Sequence, residues 1–275
     1  MIPYFQTEGC TLYHTDVLEA DIPSSSIDLV VTSPPYNVGI EYSSYEDSKA
    51  LDEYLEFSRS WLTRCWEWLK PDGRICINVA LDTTTPTPFS LGATMTTLAQ
   101  EVGFRYQSTV VWYKQNLQKR TAWGSWLSAS APYVMAPVEV IILLCKERWQ
   151  KLSKGVSDIT PEEFKAWTNG FWSFNPESRT RIGHPAPFPI ELPKRCIKLF
   201  SYVGDTVLDP FAGSGTTLIV AHALNRNVIG LEIDRGYCDL SVKRFNRYLL
   251  SRQLSLDLDF DFLQSEYSDT DLVSA

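Results

Sequence analysis

Hydrophobic and polar positions alternate along this chain in two rhythms, short apolar runs and longer amphipathic stretches. Gly9 to Asp16 predicts a strand that ends in a carboxylate, and Ile27-Asp28-Leu29-Val30-Val31 predicts a short buried strand with one polar break. Between 50 and 69, Leu51, Tyr54, Leu55, Trp61, Leu62, Cys65, Trp66 and Leu69 recur mostly three or four apart, the spacing of an amphipathic helix. Lys70-Pro71-Asp72-Gly73 predicts a turn, and Arg74 to Ala80 the next strand. Strand, loop, helix and strand in that order make a unit of parallel type. A second helix is expected over 90–102 and a strand over Tyr106 to Tyr113. From Lys114 to about Arg181 the pattern loosens, although Val138 to Cys145 still predicts a buried strand. Regularity then returns: a helix from Glu191 to Phe200, an apolar strand from Thr206, a helix over Leu218 to Leu224, a strand from Asn227 to Leu231 ending in Glu232, and a helix over 237–249. Leu256 to Phe262 alternates with period two, as an edge strand or an acidic flap would. The order predicts an α/β fold around a mostly parallel sheet.

Two loops punctuate that pattern. Thr32-Ser33-Pro34-Pro35-Tyr36-Asn37 follows the first buried strand. Consecutive prolines fix their own φ, lack an N–H and push each preceding residue towards extended backbone, so the loop is stiff. It lies at the carboxyl end of a strand, where open α/β sheets place ligands. The Ser33 hydroxyl and Pro34 carbonyl are acceptors and Tyr36 offers a flat face, a set that suits a planar base bearing an exocyclic amine. The second loop is Asp209-Pro210-Phe211-Ala212-Gly213-Ser214-Gly215-Thr216-Thr217, between a strand and a helix. Its glycines let backbone approach a ligand closely, and Glu232, seventeen residues after Gly215, is placed to accept from two ribose hydroxyls. No Gly-Lys-Ser/Thr follows, which excludes a P-loop, and Leu218 stands where a dinucleotide fingerprint wants its third glycine. Asp209 would repel a pyrophosphate and would attract an amino group, so S-adenosylmethionine is the ligand these residues fit best.

Composition changes the picture in three places. The net charge of −8 argues against a nucleic-acid partner until its distribution is read. Asp257, Asp259, Asp261, Glu266, Asp269 and Asp271 are unaccompanied by bases, whereas 105–181 carries eleven Lys/Arg against six Asp/Glu. A basic middle with an acidic tail is compatible with DNA. The six cysteines are scattered, with no C-x-x-C pair and no Pro-Cys dipeptide, so neither a zinc site, nor a disulfide framework, nor the thiolate needed to methylate a ring carbon is expected. The first residues lack a basic n-region and an apolar h-region, and the longest apolar run is short, so a soluble cytoplasmic protein without a membrane partner is expected. The stretches 121–126 and 167–172 are aromatic and glycine-containing, suited either to packing an insertion or to meeting nucleic acid.

Together the two loops resemble those of the amino-methylating DNA methyltransferases, which carry T-S-P-P-Y-N or D-P-P-Y and a D-P-F-x-G-S-G-T loop. The likeness spans roughly Leu12 to Leu249, and the order (catalytic loop, insertion, cofactor loop) is that of the permuted class called β. Protein glutamine methyltransferases share an N-P-P-Y loop, but there the cofactor loop comes first. The resemblance implies a Rossmann-like S-adenosylmethionine-dependent methyltransferase sheet, mostly parallel and permuted, with an inserted target recognition region. It divides the chain into a catalytic and cofactor-binding domain (1–114 and 182–250), the inserted region (115–181) and an acidic tail (251–275).

Residue by residue, the resemblance implies catalysis by Ser33, Pro34, Pro35 and Tyr36. It assigns the methionine and sugar to Asp209, Phe211, Gly213, Gly215 and Thr216, the ribose to Glu232 and the adenine edge to Asp16. His184 and Pro185 stand where the family carries a further cofactor motif, often with a Lys-Pro that is absent here. Hydrogen bonds from the amine to Ser33 and Pro34 would free its lone pair, and in-line transfer would then need positioning and charge stabilisation, without metal or covalent intermediate. The base would be flipped from duplex DNA and stacked on Tyr36. Serine at position 33 leans, by resemblance, to cytosine N4; adenine N6 is the nearest alternative, and a catalytically idle S-adenosylmethionine-binding DNA recognition protein or methylation of RNA stand behind it. The resemblance also allows a homodimer and a cognate restriction endonuclease as partners.

Overall fold

The computed structural model describes residues 1–40, 44–83, 88–115, 124–132, 134, 136, 138–185 and 187–254. Its strands are β1 (Phe5–Thr7), β2 (Cys10–His14), β3 (Ile27–Thr32), β4 (Leu69–Ala80), β5 (Arg105–Tyr113), β6 (Val138–Cys145), β7 (Phe171–Ser173), β8 (Thr206–Asp209) and β9 (Asn227–Glu232). Its helices are α1 (Leu51–Trp68), α2 (Leu91–Val102), α3 (Pro161–Trp167), α4 (Arg179–Ile182), α5 (Glu191–Phe200), α6 (Thr216–Ala223) and α7 (Arg235–Leu254). The strands form one sheet in the order β1-β2-β9-β8-β3-β4-β6-β5-β7. Neighbours from β2 to β4 are parallel, and β6 runs antiparallel between β4 and β5.

Side-chain alternation splits the core into two layers. On β3, Leu29 and Val31 face α5, α6 and α7, while Val30 faces α1 and α2; β6 does the same with Ile141 and Leu143 against Val140, Ile142 and Leu144. Both faces are covered, so β3 is buried at every position. Helix α1 buries Tyr54, Ser58, Trp61, Leu62, Cys65 and Trp68 along one stripe, as its spacing predicts. Burying each large apolar side chain contributes roughly 1.5–3 kcal/mol. The polar break in β3, Asp28, sits 2.8 Å from Lys70 Nζ and accepts from the Thr206 N–H at 2.9 Å.

The structure departs from these expectations, or adds to them, in three places. Lys70-Pro71-Asp72-Gly73 is a tight excursion inside β4, not a separator before it: β3 partners jump from Leu69 to Arg74, and a Cβ on Gly73 would lie 2.9 Å from the Lys70 carbonyl. The hairpin strand β1 carries no run long enough to announce itself. Within the stretch 115–181, β6 and β7 pair in the central sheet. The apolar run of β6 needs two covered faces, which only the sheet supplies. Trp167 and Trp172 pack inside, where the Arg195 guanidinium lies 5.5 and 5.3 Å from their rings; Trp126 stays 78% exposed. The acidic tail, including the alternating Leu256 to Phe262, lies outside the described residues, as does part of the 121–126 stretch.

Candidate active site

The carboxyl ends of β2, β3, β4, β5, β8 and β9 open into one cavity of about 720 Å³, into which the amino end of β6 also points. That volume lies within the range of small-molecule pockets. Of the residues singled out from the sequence, Asp16, Ser33, Pro34, Pro35, Tyr36, His184, Asp209, Phe211, Gly213, Thr216 and Glu232 line it. Gly215 and Pro185 do not. Gly215 adopts φ +77° at the start of α6, and a Cβ there would lie 2.0 Å from Ser241 Oγ on α7; its lack of a side chain serves packing behind the loop. Pro185 fixes the backbone leaving His184.

The glycine-loop side is acidic and deep. Asp209 ends β8, 3% exposed, and accepts from the Thr32 hydroxyl at 2.9 Å and the Phe211 N–H at 3.1 Å. Burial pushes its carboxyl up to about 6 against those donors. Glu232 ends β9 and accepts from the Gly213 N–H at 2.7 Å and the Asp234 N–H at 2.8 Å. Burial raises it to about 7, opposed by these two N–H donors and aided by the nearby charges of Asp234 and Asp209. Gly213 has φ +50°, and an added Cβ would meet His184 Nε2 at 3.0 Å; the His184 ring lies 4.4 Å from that of Tyr237. Arg244 of α7 donates to the Ser214 carbonyl and, at 3.1 Å, to Thr216 Oγ1, clamping the loop from behind. Asp16 turns its carboxylate to the Leu18 N–H at 2.8 Å.

The proline-loop side is a hydrogen-bonded network. Ser33 Oγ lies 2.9 Å from the Tyr36 hydroxyl, which also receives Asn78 Nδ2 at 2.9 Å and reaches Glu139 Oε2 at 3.3 Å. Asn78 donates to Glu139 at 2.6 Å, and Lys114 pairs with the other Glu139 oxygen. The Tyr36 hydroxyl is therefore a tether as well as the tip of a flat face. Past it, Asn37 takes φ +57°; its side chain bonds the Lys49 backbone, and Asp47 collects the N–H groups of Asn37, Val38 and Ile40. Sequence reasoning missed Asn78, Glu139, Lys114, Tyr237 and Arg244. Asn78 and Glu139 did leave a signal, as single polar residues within apolar strands.

Relatives decide what this cavity belongs to. The family model of the N6/N4 DNA methylases matches residues 27–243. This chain is a member of that family. The type II methyltransferase M.MjaVI of Methanocaldococcus jannaschii is 52% identical over 174 residues, 63% of this chain and 90% of that protein. M.HpaI of Haemophilus parainfluenzae, another type II methyltransferase, is 30% identical over 239 residues, covering 82% of this chain and 70% of the relative. Among solved structures, a putative DNA modification methylase of Thermus thermophilus in complex with S-adenosyl-L-methionine superposes with a TM-score of 0.68 at 29% identity, over 86% of this chain and 93% of that one. The PvuII DNA methyltransferase, cytosine-N4-specific, shares the fold at TM-score 0.69 and 24% identity, covering 95% and 92%. The sheet of this methylase is thus the Rossmann-like sheet of S-adenosylmethionine-dependent methyltransferases. Methylases of this family take their methyl group from S-adenosyl-L-methionine, and the cavity fits it: buried Asp209 and Glu232 suit a cationic, hydroxyl-bearing ligand and would repel a phosphate. Among the described residues no cluster of metal-ligating side chains occurs, and no helix is long and apolar enough to cross a membrane.

Proposed function

We propose that this methylase is a type II enzyme that modifies the exocyclic N4 amine of a cytosine flipped out of duplex DNA. The observation that carries the reading is the facing of the two loops across one cavity, acceptors on the Ser33–Pro34 side and buried acids on the other. Asp209 would hold the cofactor's ammonium end, Glu232 its ribose hydroxyls and Asp16 its adenine edge, with Phe211, Gly213 and Thr216 shaping the wall and His184 backing the glycine loop. When bound, S-adenosyl-L-methionine supplies a methyl group already activated on a sulfonium.

Everything else falls to the protein's own residues. An aromatic amine shares its lone pair with its ring, so it is a poor nucleophile. Acceptance of its protons by Ser33 Oγ and the Pro34 carbonyl localises that pair, and the stiff Pro34-Pro35 backbone holds both acceptors still. Tyr36 packs against the ring. Ser33, a neutral acceptor, favours cytosine; adenine N6 uses the same logic and is the competing outcome. Target recognition would fall to about 115–137, between β5 and β6, with Trp126 exposed within it. A cognate endonuclease would accompany a type II enzyme. Incubating duplex DNA with methyl-labelled cofactor and analysing its nucleosides tests the reading: label on N4-methylcytosine is expected, and label on N6-methyladenine overturns the choice of base.

A further inference from the structure

The sheet buries a charge that the proposed chemistry leaves without a role. Glu139 lies on β6 opposite Ala80 and Trp112, 8% exposed, in a strand that is otherwise apolar. Its neighbours are Lys114 on one oxygen, and Asn78 at 2.6 Å and Tyr36 at 3.3 Å on the other. A carboxylate paired with an ammonium and an amide N–H can only accept, and that fixes the direction of every hydroxyl leading to it. Tyr36 has one proton to give. Asn78 Nδ2 donates to it, and both other groups at 3.3 Å, the Glu139 carboxylate and the Asn78 carbonyl, are acceptors. The charged one is favoured. With the Tyr36 proton pointing that way, its oxygen accepts from Ser33 at 2.9 Å. Ser33 has then spent its own proton inward, and its remaining lone pairs face the cavity.

Resting on the amine-methylation reading above, we infer that Glu139 is a positioning residue that makes Ser33 an obligate acceptor and receives, through Tyr36, the proton the substrate amine must lose. The balance closes within the chain. As the amine nitrogen gains a methyl group it carries one surplus proton. That proton moves to Ser33 Oγ, the Ser33 proton to the Tyr36 oxygen, and the Tyr36 proton to Glu139. The product amine leaves neutral, both hydroxyls are restored, and Glu139 is neutral until solvent takes its proton. A substrate presenting an acceptor in place of an amine would find no donor at Ser33, so the same carboxylate contributes to choosing amines.

The test is the single-turnover rate of label transfer from methyl-labelled S-adenosyl-L-methionine to unmethylated bacterial genomic DNA, together with cofactor affinity by calorimetry and the melting temperature. For Glu139→Gln the rate constant should fall by about a hundredfold, with cofactor affinity unchanged, and Glu139→Asp should recover part of it. Tyr36→Phe, which leaves Glu139 paired to Lys114 and Asn78, should cause a similar fall, and the double variant should lose little more, because both act on one path. A Glu139→Gln rate equal to that of the unaltered protein overturns the inference while leaving amine methylation intact. So do losses that multiply in the double variant, or a loss that tracks cofactor affinity. Absence of transfer by the unaltered protein would instead bring down the underlying reading and the inference with it.

Discussion

The two loops that meet in the cavity leave adjacent parallel strands and are joined at their roots, where the Thr32 hydroxyl binds Asp209 at 2.9 Å. Beyond that bond they are built oppositely. The 33–37 loop gets its rigidity from prolines, and the buried carboxylate on its side of the cavity, Glu139 of β6, is balanced by Lys114. The 209–216 loop depends on glycines at φ +50° and +77°, and its acids are held by hydroxyl and N–H donors, with no ion pair among the described residues. One side is electrostatically complete before anything binds. The other keeps negative charge in reserve, at the cost of acids raised to about 6 and about 7, for a ligand that brings a cation and hydroxyls. Strain concentrated on the side that must bind charge is the usual exchange of stability for function.

The largest effect should come from Asp209→Ala, which removes that reserve: cofactor affinity should fall more than about a hundredfold by calorimetry, since hydrogen bonds to charged groups contribute roughly 1.5–3 kcal/mol each. If it fell no further than for Tyr36→Phe, the division between the sides would break. The pH dependence comes next. Both carboxyls are raised in the folded chain, so their protons stabilise the ligand-free fold. That contribution is full below the ordinary carboxylate range and is lost as pH rises through about 6 for Asp209 and about 7 for Glu232. Cofactor binding should run the opposite way, weakening by up to about tenfold per pH unit as pH drops below 7 and more steeply below 6, where both acids take up protons, because the ionised acid is the form that accepts. Titration calorimetry from pH 5.5 to 8 checks this, and a flat profile would contradict it. Gly215→Ala sharpens the comparison, because the added methyl would collide with Ser241 and sit at a positive φ. Urea unfolding should report a loss of about 2 kcal/mol. The smallest change in stability belongs to Trp126→Ala, within about 0.5 kcal/mol for so exposed a side chain, while DNA affinity drops.

How much of this was legible in the sequence follows the same split. Asp209, Glu232 and the glycines sit in one contiguous loop and at one strand end, so local spacing found them. The Tyr36 network could not be found that way. Ser33, Asn78, Lys114 and Glu139 come from the ends of β3, β4, β5 and β6, and only the strand order β3-β4-β6-β5 brings them together. Sequence order gives no hint that β6 inserts between β4 and β5. For the same reason the apolar strand after Lys114 could be expected from its composition, but its place inside the sheet, between β4 and β5, could not. Gly215 teaches the converse: a glycine inside a binding motif can be required by the helix behind it.

The central claim, transfer of a methyl group to a cytosine amine, is tested most directly by mass spectrometry of nucleosides from duplex DNA treated with the protein and methyl-labelled S-adenosyl-L-methionine. Label is expected on N4-methylcytosine. Label on N6-methyladenine would contradict the assignment made from Ser33, and no label across DNAs of varied sequence would contradict the catalytic reading itself.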